Sequence, residues 1–263
     1  MMKSTTNLRE SIGIKSRVYN ALILRFIITK YGRNDLGFVW VLIEPMILCV
    51  GVIITWSIIK GGKEHGLQIA WIVFTGYMPL TLWRHMSNSA AFILRSNRSI
   101  VHFRNIKYLD VIFSRLILEL ISVSAAAAIV YVVLYQLGVL TEIYDLSLVF
   151  EGWIIMGGIG FGGGLLIAAA TESSAVTEKF IPPLQYLLLP FSGCFFMLDW
   201  LPNSSREIII WMPFVHSFET IRAGVFGPIV NTYGNTPYAL AWAVGLTACG
   251  LLWVQRVQDH LEP

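Results

Sequence analysis

Residues 31–60 decide how this chain folds, and they read YGRNDLGFVWVLIEPMILCVGVIITWSIIK. The charged, turn-forming start of this stretch contains Arg33, Asn34 and Asp35. The run behind it is almost entirely apolar and is long enough to cross a bilayer, which takes about 20 apolar residues. We therefore predict a membrane-spanning helix over residues 36–59.

Glu44 and Pro45 lie inside this predicted span. A carboxylate within a membrane helix is unfavourable and usually has a function. Pro45 has no N–H to donate to the carbonyl of Val41, so a kink is expected there. The alternative is a kinked anchor helix that tolerates a glutamate near one end.

The composition is that of a membrane protein. Charged residues make up 13% of the 263, against about 25% in soluble domains, and the mean hydropathy is +0.66. The three cysteines lie in apolar runs without metal-ligand spacing, so no metal site is expected. Five more spans are predicted, at residues 67–93, 109–137, 146–170, 180–198 and 237–255.

The distribution of Lys and Arg predicts the orientation. Both residue types cluster before residue 34 and in the loop at 95–107, whereas the loop at 138–151 has neither. Because cytoplasmic loops are rich in Lys and Arg, both termini and the 95–107 loop are expected in the cytoplasm. The predicted fold is an all-α membrane protein with six spans, in which residues 1–35 form a cytoplasmic region and 36–263 the membrane domain.

Two cytoplasmic segments carry amphipathic patterns. Residues 4–30 have an apolar stripe flanked by arginines, which predicts a helix lying in the membrane interface; a disordered basic arm is the alternative. Residues 96–107 predict a short helix that docks on a partner, with Ser96 or Asn97 as its cap; a solvated positive loop is the alternative. Its docking residues are expected to be Arg98, Ile100, Val101, Phe103, Arg104 and Lys107.

The glycine-rich stretch at residues 157–164 contains a Gly-x-Gly-x-x-Gly pattern. A dinucleotide site needs a strand before such a pattern, and here the flanks belong to an apolar span, so nucleotide binding is rejected. The pairs Gly158/Gly162 and Gly160/Gly164 predict close helix packing instead.

Four charges are predicted at similar depth within the membrane. Counting from the cytoplasmic ends, Glu44 is about 12 Å deep, Arg84 about 15 Å, Arg115 about 9 Å and Glu119 about 15 Å. We predict that Glu44 pairs with Arg84, and Arg115 and Glu119 share one helix face at i,i+4. A role in moving substrate and a network that only fixes helix register both remain open.

Residues 199–236 are too long and apolar for a plain outer loop. A capping box at Ser204 and Glu207, followed by Pro213, predicts two half-helices that dip back from the outer face. Glu219 and Arg222 are expected to pair, and His216 with Glu219 is a weak metal pair. Aromatic residues of the outer half either form an interfacial belt or line a glycan path, the latter set being Trp56, Trp71, Tyr77, Trp200 and Trp211.

The motif Gly-Arg-x-x-Leu-Gly-x-x-Trp-x-x-Ile-Glu-Pro at residues 32–45 resembles the permease subunits of ABC-2 type polysaccharide exporters, in particular the KpsM-type capsular permeases. The resemblance implies an N-terminal interface helix, a coupling helix at about 96–107 that docks in an ATPase groove, and a re-entrant segment at 213–222. Many family members have Asn before the proline, where this chain has Met212.

The chain has no Gly-x-x-x-x-Gly-Lys-Ser/Thr sequence, so ATP and Mg are expected in a partner subunit, with no cofactor in this chain. The resemblance implies two copies of the chain, two ATPase subunits, a periplasmic co-polymerase or adaptor, an outer-membrane export protein, a lipid-linked polysaccharide and a bacterial inner membrane, without nucleic acid. Alternatives are another ABC-2 substrate (O-antigen, teichoic acid or a small amphiphile), a passive channel, or a membrane acyltransferase, and no catalytic residues are predicted.

Overall fold

The computed structural model of the chain describes residues 8–31, 36–97 and 106–261. The helices of this part are α1 Leu8–Tyr31, α2 Leu36–Lys60, α3 Ile69–Ala90, α4 Ile93–Ser96, α5 Tyr108–Gln136, α6 Leu146–Ser173, α7 Ala175–Leu188, α8 Asn203–Ile209, α9 Pro213–Phe226 and α10 Thr236–Leu261. Short 3-10 turns lie at Leu189–Phe191, Leu198–Trp200 and Gly227–Ile229. The predicted all-α membrane fold is confirmed.

The strands of the described part form one hairpin between α2 and α3, made of β1 Lys63–Glu64 and β2 Leu67–Gln68. His65 and Gly66 at its tip have φ of 51° and 82°. Two successive positive φ values are what a type I′ turn requires, and its twist matches that of the paired strands. The hairpin reverses the chain between two long helices in very few residues.

Within the described residues, four helical stretches are long and apolar enough to cross a membrane: Leu42–Lys60, Tyr108–Gln136, Leu146–Ser173 and Thr236–Asp259. They coincide with the predicted first, third, fourth and sixth spans. The predicted second span corresponds to α3, whose last third carries Arg84, His85 and Asn88. The number of six spans therefore stays a prediction.

The predicted fifth span, residues 180–198, is wrong as one continuous helix. Helix α7 begins five residues earlier, at Ala175, after Ser174 accepts a hydrogen bond from the backbone N–H of Val176 (3.3 Å). It ends at Leu188, because a 3-10 turn that contains Pro190 follows at Leu189–Phe191 and Gly193 adopts a φ of 84°. The chain then bends back into the bundle instead of continuing outward as a helix.

Helix α6 is the centre of the bundle and packs most extensively on α10, and also on α9 and α3. A Cβ atom added to Gly162 would lie 2.6 Å from the backbone nitrogen of Thr247 on α10, and Gly158 faces the same helix. Gly160 and Gly164 face α3 and α5, where an added Cβ would approach side-chain atoms to 2.8 Å. Both predicted small-residue pairs are confirmed as close packing rows, and they serve opposite sides of one helix.

Candidate functional site

The predicted docking helix lies mostly outside the described residues, which omit Arg98, Ile100, Val101, Phe103 and Arg104. Its two described ends correct the predicted bounds. Ser96 ends α4, and its hydroxyl donates to the carbonyl of Phe92 at 2.8 Å. Asn97 donates to the carbonyl of Ile93 at 2.8 Å, so both side chains bond back to α4. Lys107 precedes α5 in extended conformation.

Asp110, in the first turn of α5, joins this segment to α1. Its carboxylate accepts hydrogen bonds from the backbone N–H of Lys107 (3.1 Å) and from the hydroxyl of Tyr19 (3.1 Å). The ammonium of Lys15 lies 3.5 Å away. Asp110 is 5% exposed, so a buried carboxylate fixes α1 against the start of α5. Sequence reasoning missed this residue, although an acid three positions after the residue before a helix is a known capping signal.

The apolar stripe of α1 faces the bundle. Leu22 and Phe26 are buried in the main core cluster, while Ile14, Leu24 and Ile28 remain exposed. Helix α1 therefore has one apolar face against α2 and α5 and a second one turned outward. An outward apolar face beside arginines supports the interface position predicted for this helix.

The two charges on α5 form a buried ion pair. Arg115 Nη2 lies 2.7 Å from Glu119 Oε1, as their i,i+4 spacing predicts. The second carboxylate oxygen of Glu119 lies 3.2 Å from Nδ1 of His85 on α3. The pair therefore also ties α3 to α5, and Glu119 is 3% exposed.

The predicted pair between Glu44 and Arg84 is wrong, since these two described residues form no ion pair. Arg84 faces α7, where its guanidinium carbon lies 5.0 Å from the centre of the Tyr186 ring. Depth alone suggested the pair, but the rotation of α3 turns Arg84 towards α7 and leaves His85 to meet Glu119. Pro45 is buried within α2, which continues through it as a helix.

The segment predicted to re-enter the membrane is buried in protein. Helix α9 starts at Pro213 and has Val215 to Arg222 entirely buried. The guanidinium of Arg222 donates to the carbonyls of Gly193 (2.8 Å), Cys194 (2.8 Å) and Phe196 (2.6 Å). It thereby satisfies the backbone where the chain bends after α7.

Glu219 confirms its predicted pairing, with Oε1 3.7 Å from Nη1 of Arg222. It also accepts from the backbone N–H groups of Leu198 (3.2 Å) and Tyr233 (3.1 Å). His216 shares no metal-type geometry with it: its Nε2 lies 2.8 Å from the carbonyl oxygen of Ile210, and its Nδ1 accepts from Asn235 N–H. Within the described residues no group of three metal-ligating side chains exists.

The capping box predicted at Ser204 and Glu207 does not form. Helix α8 begins two residues earlier than that cap implies, at Asn203 behind Pro202, so Ser204 lies inside its first turn. Arg206 on this helix, which sequence reasoning missed, donates to the carbonyl of Leu198 at 2.9 Å and to the hydroxyl of Tyr233 at 2.9 Å. Side chains of α8 and α9 therefore anchor residues 199–236 to their neighbours.

The five aromatic residues predicted for a glycan path have different surroundings. Trp71 is 2% exposed and donates to the hydroxyl of Thr141 at 3.0 Å, so it belongs to the core in this conformation. Tyr77 is half-buried. Trp56 stacks on a phenylalanine, Trp200 stacks on His65 beside a cleft of about 420 Å³, and Trp211 is 71% exposed.

A bundle of apolar helices that holds buried ion pairs and a buried broken segment is typical of membrane transport proteins. The chain belongs to the ABC-2 type transporter family, which matches residues 17–226. This confirms the resemblance found in the sequence.

Named relatives agree with this membership. The chain is 34% identical over 258 residues (98% of this chain, 97% of the relative) to the capsule polysaccharide export inner-membrane protein BexB of Haemophilus influenzae. It is 33% identical, with the same coverage, to the capsule polysaccharide export inner-membrane protein CtrC of Neisseria meningitidis serogroup B. Identity to the polysialic acid transport protein KpsM of Escherichia coli is 23% over 220 residues, covering 82% of this chain and 84% of KpsM.

Proposed function

We propose that this chain is the membrane-spanning subunit of an ATP-driven exporter that moves a capsular or other lipid-linked polysaccharide across the inner membrane. The similarity to capsule polysaccharide export inner-membrane proteins carries the proposal, because it covers 98% of this chain and 97% of those relatives. A shared role is better supported by such coverage than by a single common segment.

The working unit in this proposal contains two copies of the chain and two separate ATPase subunits, which hold ATP and Mg. The two copies enclose the path between them, and both termini face the cytoplasm. A periplasmic adaptor and an outer-membrane export protein continue the route. Family membership supports the ATPase partner most directly, since ABC-2 chains are transport subunits.

Coupling to ATP hydrolysis requires a cytoplasmic contact. The segment at residues 96–107 is our first candidate for it, and α1 is the second. The contacts of Asp110 support a joint role, because one buried carboxylate bonds both to Lys107 at the end of the first candidate and to Tyr19 on the second. A displacement of either segment is therefore transmitted to the other through Asp110.

Two measurements test the proposal. A tagged chain is purified from its producing cells, and a strain in which its gene is deleted is analysed in parallel. An ATPase that copurifies, together with loss of surface polysaccharide and its accumulation inside the deletion strain, is the expected result. Unchanged surface polysaccharide with a copurifying ATPase would point to another ABC-2 substrate. Absence of any ATPase would favour a channel or an acyltransferase and refute the proposal.

Orientation is tested by cysteine labelling in a cysteine-free background. Cysteines at Glu142 and Asn203 should react with an impermeant reagent from outside, because both lie in segments without a positive cluster. A cysteine at Lys179, near the opposite end of the bundle, is the matched control and should react only after permeabilisation. The reverse pattern would overturn the proposed orientation.

A further inference from the structure

Arg84 places a positive charge on α3 within the bundle. Helix α3 ends at Ala90, so Arg84 lies about 9 Å from that end. The neighbouring carboxylate, Glu119, is bound by Arg115 and His85, and Glu44 makes no ion pair with Arg84. Among the described residues, no Asp or Glu lies within ion-pair distance of Arg84.

Two other buried or partly buried arginines each have a carboxylate partner. Arg115 has a carboxylate at 2.7 Å, and Arg222 is fully buried against three carbonyls and Glu219. Arg84 is half-buried and is contacted by the ring of Tyr186. A ring supports a cation without neutralising it. Charged side chains at membrane depth face a bundle interior or a water-filled path, so the missing anion is expected from outside the chain.

The surroundings of Arg84 form a small site between α3 and α7. Asn88, one turn further along α3, accepts a hydrogen bond from Gln185 on α7 at 2.9 Å, which holds the two helices together there. Tyr77 lies two turns earlier on the same face of α3. Beyond Tyr186, the outward face of α7 is apolar, with Phe180, Leu184 and Leu187 exposed. The site therefore offers a cation, a ring and an apolar surface side by side.

We propose that Arg84 binds a phosphate or carboxylate group of the lipid-linked glycan during export, an inference that rests on the proposed function. The planar guanidinium can donate two parallel hydrogen bonds to either group. Tyr186 holds the guanidinium in place, and the apolar face of α7 lies alongside the lipid part. An anionic phospholipid offers the same chemistry, so the test must separate the two sources.

The test uses the complete complex with its ATPase in phosphatidylcholine nanodiscs. Lipid-linked polysaccharide extracted from the producing strain is titrated, and the half-saturating concentration and maximal rate of stimulated ATP hydrolysis are measured. In Arg84→Gln the half-saturating concentration should rise about tenfold or more, as loss of a charged hydrogen-bonding partner implies, with the maximal rate nearly kept. Arg84→Lys should shift less, and Lys179→Gln, an equal charge change at an exposed position of α7, should match the wild type.

Tyr186→Leu is the second variant. It tests the inference by itself if Arg84→Gln cannot be purified. Tyr186 is 61% exposed, so its loss should leave the fold intact, and the half-saturating concentration should rise about threefold. Unchanged values in the purified variants would overturn the inference. An equal shift when phosphatidylglycerol replaces the glycolipid would also overturn it, since the site would then bind membrane lipid. A wild-type complex that the glycolipid does not stimulate would refute the proposed function, and the inference with it.

Discussion

Replacing Asp110 by alanine tests how α1 is fixed to the membrane domain. The change removes a helix-capping acceptor, worth about 1 kcal/mol. It also removes the charged acceptor of the half-buried Tyr19 hydroxyl, worth about 1.5 kcal/mol. The contact with Lys15 adds about 0.5 kcal/mol, because the Lys15 side chain is 63% exposed. The capping loss falls on the start of α5, so the docking of α1 should weaken by about 2 kcal/mol, the sum of the Tyr19 and Lys15 contacts.

Hydrogen exchange of the α1 backbone amides measures this loss directly. A loss of about 2 kcal/mol should speed their exchange roughly thirtyfold, and Tyr19→Phe should speed it roughly tenfold. The double variant should exchange no faster than Asp110→Ala, because both changes remove one shared hydrogen bond. Unchanged exchange in Asp110→Ala would refute the reasoning and assign the docking of α1 to its apolar contacts.

Three further outcomes are expected. Gly162→Ala should lower the free energy of unfolding by about 1–3 kcal/mol, because its Cβ meets the backbone of α10, whereas Gly163→Ala meets open space and should be neutral or stabilising in thermal melts in detergent. Arg222→Ala should abolish the folded protein, seen as loss of the monodisperse peak on size exclusion, since a buried charge without its partner is unfavourable by about 3–5 kcal/mol. Phe103→Ala should uncouple ATP hydrolysis from export or release the ATPase, and Arg98→Ala should do less, because rim charges mainly tune association rates; normal export in Phe103→Ala would move the contact to α1.

The long helices could be predicted closely from the sequence. Residues 36–59 correspond to Leu36–Lys60, and residues 109–137 to Tyr108–Gln136. Apolar length is a local property of the chain, so it needs no knowledge of tertiary contacts. The segment at 180–198 failed because its composition stays apolar past Leu188, while Pro190 and Gly193 end the helix.

The site was harder to predict, because pairing depends on helix rotation as well as depth. The prediction that Arg115 and Glu119 share one helix face was correct, since their i,i+4 spacing on one helix fixes their separation. Arg84 and Glu44 lie on different helices, and their faces could not be derived from an apolar run. His85 is adjacent to Arg84 in sequence but points roughly 100° away around α3, and it meets Glu119 instead.

Burial divides the helices into a firmly packed group and a lightly held one. The candidate span of α6 is 61% buried within the chain, whereas that of α2 is 17% buried. Helix α7 also presents a mostly exposed apolar face. Elements with few contacts open at the lowest free energy, so α7, which makes few contacts with other helices, is expected to move more readily than α6 and α9. Arg84 lies on α3, which packs against α6, and its ring partner lies on α7. An anion that binds Arg84 therefore reaches the boundary between fixed and moving helices, where exchanging a ring contact for an ion pair would bias the position of α7.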